Sequence, residues 1–409
     1  MAFLFYNLDS LWSSAGLFFL YFLPIPLAVL CWRLYKLYIQ TDYIHKMDWL
    51  MLEVKIPREI LKSPQAMEVA LSGLHQPGEG SLIDQYIKGR IRTWFSLEMI
   101  SLGGSVRFFI RTEKKFKELI ESQLYSQYPG VEIFEADDYT QFVPYGAEGS
   151  NWSIFGAELQ FTKADPYPIK TYIDYGLDKD PKEEFKIDPL TPVMELLGSI
   201  GPNEQLWIQI PVMATKDRFK KPDTWFGVQN WRDEGQKLVK EIMEKHAQKD
   251  KDGNKMISEL SVPKSDRDVI EAINRSISKL GFDCGIRLMY LAPEDKFQAG
   301  NIARMLSVFK QFGSLHLNGF KPLRTTSFDY PWQNPFGFRL AALKRKMFES
   351  YRRRAYFYWP YRQKPMVLNT EELATIFHFP GQVAETPTSE RIESKRGEPP
   401  PNLPVQGIF

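Results

Sequence analysis

FSLEMISLGGSVRFFI, residues 95–110, is the stretch that decides the fold. On each side of its centre every second residue is apolar, which is typical of a β-strand with one buried face. These residues are Phe95, Leu97 and Met99 before the centre, and Val106, Phe108 and Ile110 after it. Gly103-Gly104 separates the two runs and suits a tight turn, because glycine adopts positive φ at little cost. The stretch therefore predicts a β-hairpin.

The elements around this hairpin predict one α+β unit. A strand over residues 48–56 and a helix over residues 63–75 precede it, with Ser63-Pro64 as a helix start. A helix over residues 113–128 and a strand over residues 131–134 follow it. The resulting order β-α-β-β-α-β is that of a ferredoxin-like fold.

The same order of elements recurs in the next part of the chain. The predicted strands lie near residues 153–161, 206–213, 282–292 and 315–320, and the predicted helices near residues 189–200 and 296–312. Residues 214–281 interrupt this order and carry helical patterns of their own. We therefore predict an α+β protein with two tandem ferredoxin-like units, the second containing a helical insert.

Outside the two units, the sequence divides into segments of distinct composition. The predicted segments are an extracytoplasmic N-terminus over residues 1–11, a transmembrane helix over 12–32, a basic-aromatic neck over 33–46, the first unit over 47–137, the second unit over 151–322, a basic-aromatic helical segment over 334–381 and a proline-rich tail over 384–409. We expect the tail to be disordered, because it is polar and rich in proline.

Residues 12–32, WSSAGLFFLYFLPIPLAVLCW, contain no charged side chain. A helix of this length covers the ~30 Å apolar core of a bilayer. Trp12 and Trp32 end the segment as in an interfacial aromatic belt, and Arg33 follows directly. Because Lys and Arg collect on the cytoplasmic side, we predict a single-pass plasma-membrane protein with its N-terminus outside. Its expected membrane anchor is Trp12, Trp32 and Arg33.

Two other interpretations compete with the membrane span. A cleaved signal peptide requires a positive n-region and a small-residue cleavage site, and the segment has neither. A buried core helix fits poorly with large apolar residues on every face. Pro24 and Pro26 are the weak point of the span, because each removes a backbone hydrogen bond and kinks a helix.

The composition excludes several classes of protein. The chain of 409 residues carries 52 Lys and Arg against 50 Asp and Glu, so its net charge of +2 creates no global field that attracts nucleic acid. The cysteines are Cys31 and Cys284, too few for a disulfide framework, which agrees with a reducing compartment.

Sequence motifs for catalysis are missing. The chain has no Walker A phosphate loop, no nucleophile elbow, no H-E-x-x-H pair and no C-x-x-C motif, and its histidines are scattered. We therefore expect no enzyme activity, no cofactor and no bound metal. An active site without a motif stays open as an alternative, because ferredoxin-like folds host many activities.

Residues 250–261, DKDGNKMISELS, open like an EF-hand calcium loop. Lys255 stands where the sharp turn requires glycine, and Ser261 stands where the bidentate glutamate is required. A solvated loop is therefore the better interpretation.

The strongest positive signal is residues 343–364, where basic and aromatic side chains interleave around one acid, Glu349. The candidate contact residues are Lys344, Arg345, Lys346, Arg352, Arg353, Arg354, Trp359 and Arg362. Three interpretations remain open. The stretch contacts nucleic acid through phosphates and bases, or it contacts an anionic membrane surface, or it is a helix whose aromatic face packs on the protein.

Several motifs resemble those of one bacterial family. They are residues 94–98 (WFSLE), 108–111 (FFIR), 120–129 (IESQLYSQYP), 367–381 (VLNTEELATIFHFPG) and 398–404 (EPPPNLP). They are similar to a membrane-anchored module of unknown function from bacteria of the candidate phyla, which precedes a RecA-like ATPase similar to type IV secretion and conjugative DNA-transfer ATPases. This chain ends at Phe409 without such an ATPase, so no nucleotide-binding residue is carried over.

The resemblance implies a non-catalytic, membrane-anchored scaffold or accessory subunit of a DNA or protein translocation machinery. The candidate residues for contact with a partner are Thr370, Glu371, Glu372, His378, Phe379 and Pro380. The alternative function is a membrane-surface or nucleic-acid binding module acting through residues 343–364. The expected partners are the lipid bilayer, a separate RecA-like ATPase and nucleic acid.

Overall fold

The computed structural model describes residues 22–57, 62–146, 150–178, 188–216, 219–220, 228–246, 248–249, 255–256, 262–328 and 330–380. Contacts along the chain divide it into two units. One unit comprises residues 1–48 and 78–92, and the other comprises residues 49–77 and 93–409. The predicted N-terminal segment 1–11 and the predicted tail 384–409 lie outside the described residues.

All described strands belong to the larger unit. They are β1 (Trp49–Lys55), β2 (Phe95–Leu102), β3 (Ser105–Glu113), β4 (Glu132–Ala136), β5 (Trp152–Phe161), β6 (Gln205–Ala214), β7 (Phe219–Lys220), β8 (Val228–Gln229), β9 (Gln248–Lys249), β10 (Lys255–Met256), β11 (Gly281–Cys284), β12 (Ile286–Pro293), β13 (Phe320–Thr325) and β14 (Met366–Asn369). The short strands β7 and β8 form one ribbon, and β9 and β10 form another.

The hairpin predicted from residues 95–110 forms β2 and β3. Gly103 and Gly104 turn the chain with φ angles of 61° and 93°, a region that glycine adopts without a steric penalty. A Cβ atom on Gly104 would lie 3.0 Å from the carbonyl oxygen of Ile200, so the turn also requires glycine for space.

The ten strands outside the two short ribbons, with β2 and β3 among them, form one antiparallel sheet. Its main path runs in the order β13-β5-β12-β6-β2-β3-β1-β4, and β11 adds to β6 and pairs with β14. Outward from the β2–β6 pair, the strands run β2-β3-β1-β4 on one side and β6-β12-β5-β13 on the other. Numbered along the chain within each set, both run second, third, first, fourth. The two sets of strands predicted as separate units therefore belong to one sheet.

This continuity corrects the predicted fold class of two tandem ferredoxin-like units behind a membrane helix. β2 and β6 pair along their length, from Phe95 opposite Val212 to Leu102 opposite Gln205. Both strands are buried on both faces, and pairing satisfies backbone groups that a free edge would expose. The observed class is mixed α+β with a single ten-stranded antiparallel sheet.

The described residues contain ten α-helices. They are α1 (Pro24–His45), α2 (Pro64–Gly73), α3 (Leu82–Tyr86), α4 (Lys117–Gln127), α5 (Thr191–Gly198), α6 (Trp231–Lys245), α7 (Lys264–Ser278), α8 (Ala299–Ser307), α9 (Phe338–Arg352) and α10 (Thr370–Ile376). The helices α6 and α7 lie in the predicted insert and share a small core of their own around Ile242, Ile270 and Ile273.

The sheet has a buried core on each face. Leu97 and Met99 of β2 lie in the larger core with α2, α4, α5, α8 and α10. Ile100 of the same strand lies in the second core, where α9 contributes Phe348 and Tyr351. Alternation along the strand explains the division, because successive side chains point to opposite faces.

The smaller unit contains α1 and α3, which contact each other through Trp32 and Tyr86 with ring centroids 5.7 Å apart. Among the described residues, no helix is long and apolar enough to cross a membrane.

This finding corrects the predicted span over residues 12–32 and the plasma-membrane location inferred from it. Trp32 and Arg33 are exposed residues of α1, and the described part of the helix begins at Pro24. Trp12 and the other residues up to 21 lie outside the described residues. The anchor assigned to Trp12, Trp32 and Arg33 is therefore withdrawn.

Candidate functional site

Helix α9 has a buried face and an exposed face, and the side chains of the basic-aromatic stretch are divided between the two. Met347, Phe348 and Tyr351 are buried against the sheet. The exposed candidate residues are Arg345, Lys346, Arg352, Arg353, Trp359 and Arg362. Most of the aromatic side chains predicted to interleave with the cations are therefore part of the core.

Charge on the exposed face of α9 and the following loop is mainly positive. Glu349 is half-buried and forms ion pairs of 3.6 Å with Arg352 and 3.4 Å with Arg353. Lys344 is also half-buried, and burial lowers its pKa. We call five of the exposed cations, Arg345, Lys346, Arg352, Arg353 and Arg362, the basic face; Arg339 and Lys364 are exposed cations of the same segment.

Arg354 differs from the two arginines before it, because its side chain is fully buried. Its φ of 51° lies in the left-handed region that residues other than glycine rarely adopt. The guanidinium donates to both carboxylate oxygens of Glu98, at 3.0 Å each, and also pairs with Asp138. Its backbone carbonyl accepts a 3.1 Å hydrogen bond from Nε1 of Trp94. Arg354 therefore cannot contact an external ligand in this conformation.

Glu98 belongs to a row of polar residues that crosses the sheet beneath α9. Glu98, Gln209, Arg287 and Glu158 lie opposite one another on β2, β6, β12 and β5. Arg287 donates to Glu158 at 3.0 Å and to Gln209 at 3.3 Å. It also donates to backbone carbonyls at both sides of the end of α9, at Ser350 and Ala355.

The charged and hydroxyl groups in and beside this row contact one another inside the protein. Burial raises the pKa of Tyr139 and of Tyr351, whose hydroxyl groups are 2.9 Å apart. Burial opposes the charge of Arg354, but the Glu98 and Asp138 carboxylates together with Tyr139 outweigh this effect and raise the arginine pKa. Because the polar side chains of the row contact one another and the end of α9, the row holds α9 on the sheet.

The segment predicted to contact a partner forms β14 and α10 inside the protein. Thr370, Glu371, Glu372, His378, Phe379 and Pro380 are all buried. Glu372 completes a capping box with Asn369, and its other carboxylate oxygen accepts a 2.8 Å hydrogen bond from the backbone N–H of Ile169. Burial raises the pKa of Glu372 to about 8. The capping box is as expected from the sequence, but these side chains offer no surface to a partner.

Ion pairs with Glu371 also stabilise this segment. Glu371 pairs with Lys279 at 2.8 Å and with Arg275 at 3.3 Å, and Lys279 also pairs with Glu68 of α2. These contacts join α10 to α2 and α7. They explain why an acidic pair at the start of a short helix is buried, since each carboxylate has hydrogen-bond donors or cations beside it.

His378 and Asp188 form a second buried contact. Nε2 of His378 lies 3.2 Å from both carboxylate oxygens of Asp188, and Nδ1 lies 2.9 Å from the carbonyl oxygen of Ala374. Burial opposes ionisation of Asp188, but the imidazole beside it outweighs this effect and lowers the pKa of the carboxyl. The contact fixes the chain after α10 and is closed to solvent.

Metal binding gains no support from the part of the chain that the structure describes. No cluster of three or more His, Cys, Asp or Glu side chains there is arranged to hold a metal ion. The EF-hand-like loop 250–261 lies outside the described residues except for 255–256. Among the described residues, neither Cys31 nor Cys284 is part of a disulfide.

Sequence reasoning missed one surface feature, the aromatic residues just before α9. Residues 330–338, YPWQNPFGF, contain four aromatic side chains that are all exposed. The available sequence signal was the high density of aromatic residues in a turn-rich segment. This segment has neither the alternation of a strand nor the apolar stripe of a helix.

Comparisons with known proteins place the chain in a family. No curated protein matches the chain at a significant level. The family model described as Domain of unknown function (DUF8128) matches residues 41–391, which include every described strand and, in full, the described helices α2 to α10. The chain therefore belongs to the family described as Domain of unknown function (DUF8128).

Proposed function

We propose that this chain is a non-catalytic scaffold or accessory module of a DNA or protein translocation machinery driven by a separate RecA-like ATPase. The similarity of residues 94–98, 108–111, 120–129 and 367–381 to modules that precede type IV secretion-like ATPases supports this assignment. The module would act by binding, without chemistry of its own.

The observation that carries the proposal is the distribution of charge. The buried ionic groups around Glu98, Glu371 and Asp188 are paired within the protein. The cations of the basic face are directed to solvent. Buried pairs stabilise a fold and exposed charge contacts partners, so this arrangement suits an adaptor better than an enzyme.

Affinity purification of the tagged, full-length chain from its native cells tests the proposal. We expect a RecA-like ATPase with a Walker A motif among the co-purifying proteins, identified by mass spectrometry, and ATP hydrolysis by the complex. A tagged protein of similar size from the same cells is the control. Recovery of no such ATPase, or catalytic turnover by the purified chain alone, would contradict the proposal.

Nucleic-acid binding is a second candidate function, favoured by the basic face. The five cations of the basic face are exposed along α9 and the following loop, and Glu349 is the acid beside Arg352 and Arg353. Arg and Lys in such a row contact successive phosphates and release counterions from the nucleic acid. The full chain has a net charge of only +2, so binding would depend on this face and not on a global field.

Reversing two charges of the basic face tests this function. We expect Arg345→Glu together with Lys346→Glu to weaken binding of labelled DNA at low salt by about tenfold or more, because each reversal replaces a phosphate contact by repulsion. Fluorescence anisotropy with the full chain measures the change. Lys237→Glu with Lys240→Glu on the exposed side of α6 is the matched control. Equal losses in both variants would show that the effect is not specific to the basic face.

A further inference from the structure

Residues 330–338 form an exposed aromatic segment directly before α9. The side chains of Tyr330, Trp332, Phe336 and Phe338 are 51%, 70%, 81% and 78% exposed. The rings of Tyr330 and Trp332 stack with centroids 4.5 Å apart and an interplanar angle of 12°. Single exposed apolar residues are common, but a contiguous group of this kind marks an interaction site.

Hydrogen bonds hold the backbone of this aromatic segment in place. The N–H of Gln333 donates to the carbonyl of Tyr330 at 3.1 Å, and the N–H of Leu340 donates to Oδ1 of Asn334 at 3.2 Å. Nη1 of Arg339 donates to the carbonyl of Gln333 at 2.9 Å. A backbone fixed in this way presents the rings with little further loss of entropy on binding.

Phe338 of the aromatic segment lies on the same side of α9 as two cations of the basic face. Phe338 is the first residue of the helix, and Arg345 and Arg352 follow it seven and fourteen residues later. These spacings correspond to about two and four helical turns, so the three side chains lie along one exposed face over ~21 Å. A ligand that contacts the cations of α9 can therefore reach the ring of Phe338, the last residue of the aromatic segment.

The composition of the segment favours nucleic-acid bases over lipid. YPWQNPFGF contains no Leu, Ile, Val or Met, the aliphatic residues that accompany aromatics in membrane-inserting surfaces. Its exposed apolar side chains are flat rings next to cations. Aromatic rings beside a positively charged track are the features with which proteins bind unpaired bases and the backbone that joins them.

We propose that the aromatic segment 330–338 stacks on unpaired bases, so that this surface binds single-stranded nucleic acid in preference to duplex. This inference rests on the proposed nucleic-acid binding by the basic face and adds the form of nucleic acid that is bound. Duplex DNA would engage the cations through its phosphates but would not offer base faces to the rings.

The experiment compares three probes of equal length, about 20 nucleotides, with the full chain: oligothymidylate, its abasic analogue and a duplex. We expect oligothymidylate to bind at least about tenfold more tightly than the abasic strand. Tyr330→Ala with Trp332→Ala should remove most of this difference and leave abasic binding unchanged. Phe142→Ala, an aromatic residue that is 72% exposed elsewhere, is the matched control and should change nothing.

The outcomes separate the inference from the function on which it rests. If the charge-reversed variant loses DNA binding but the aromatic variant retains full preference for oligothymidylate, the stacking role is wrong and nucleic-acid binding stands. If no probe binds at low salt, both are wrong. Binding to vesicles of anionic phospholipid that depends on Tyr330 and Trp332, with equal affinity for oligothymidylate and the abasic strand, would assign the segment to lipid and overturn the inference.

Discussion

Replacing Arg354 with alanine is expected to lower the free energy of unfolding by about 3–5 kcal/mol, because the change leaves buried carboxylate charge uncompensated. The Arg354 side chain is fully buried and contacts both oxygens of Glu98 as well as Asp138. The same guanidinium donates to the carbonyl of Arg352 at 2.7 Å, so its loss also releases the chain at the end of α9. Urea denaturation of the full chain, followed by tryptophan fluorescence, measures the change.

Arg353→Ala is the matched control for this prediction. Arg353 is adjacent in sequence and of the same chemical type, but it is exposed and pairs only with the half-buried Glu349 in the contacts seen here. Exposed ion pairs contribute about 0–1 kcal/mol, so this variant should unfold near the wild-type midpoint. Similar losses for the two variants would contradict the division of the arginine run into buried and exposed members.

Replacing Phe379 with alanine is expected to lower the free energy of unfolding by about 3–5 kcal/mol, the usual cost of removing a buried phenylalanine ring. Phe379 is fully buried in the larger core. Its ring lies 5.4 Å from that of Phe108 and 4.9 Å from that of Tyr128, both in edge-to-face geometry. Thermal unfolding of the full chain measures the loss.

Phe142→Ala is the control for Phe379, because its ring is 72% exposed and its removal creates no cavity. The pair of variants also tests the interpretation of residues 370–380. A partner-binding residue at the surface would lose affinity on truncation and keep the stability of the protein. Unchanged stability in Phe379→Ala would contradict the burial of this segment and restore it as a candidate contact surface.

Local elements were predictable from the sequence wherever one periodic pattern fixed them. The alternation in residues 95–110 and the Gly103-Gly104 turn are sufficient for the β2–β3 hairpin, because turn chemistry and burial pattern agree. The capping box at Asn369 and Glu372 was predictable for the same reason. The pairing of β2 with β6 was not, because the residues that meet are about 110 positions apart and no local pattern specifies a partner strand.

Charge alone did not identify the accessible residues of the candidate site. The sequence does not distinguish the three consecutive arginines Arg352, Arg353 and Arg354. Only Arg354 is buried, because the chain turns with a positive φ after α9 and directs its side chain at Glu98. Glu371 and Glu372 were predicted to contact a partner, whereas the adjacent Lys279 and a backbone N–H group make their burial favourable. Buried charge is invisible to composition because the compensating partner is distant in sequence.

Apolar composition led to the membrane interpretation of residues 12–32. The helix that the structure describes begins at Pro24 and continues through Arg33, Lys36 and Asp42 to His45. Charged side chains therefore lie within the helix that the structure describes, and the uncharged letters of the sequence do not by themselves predict where that helix ends.

The salt dependence of single-strand binding tests most directly the central proposal that the exposed basic face, and not the buried polar groups, is the binding surface of this chain. For five phosphate contacts, the logarithm of the binding constant of the full chain for oligothymidylate should fall against the logarithm of salt concentration with a slope of about −3.5. Arg345→Ala with Lys346→Ala should reduce the magnitude of this slope by about 1.4. Absence of binding at low salt, or a slope that these two substitutions leave unchanged, would contradict nucleic-acid binding by the basic face.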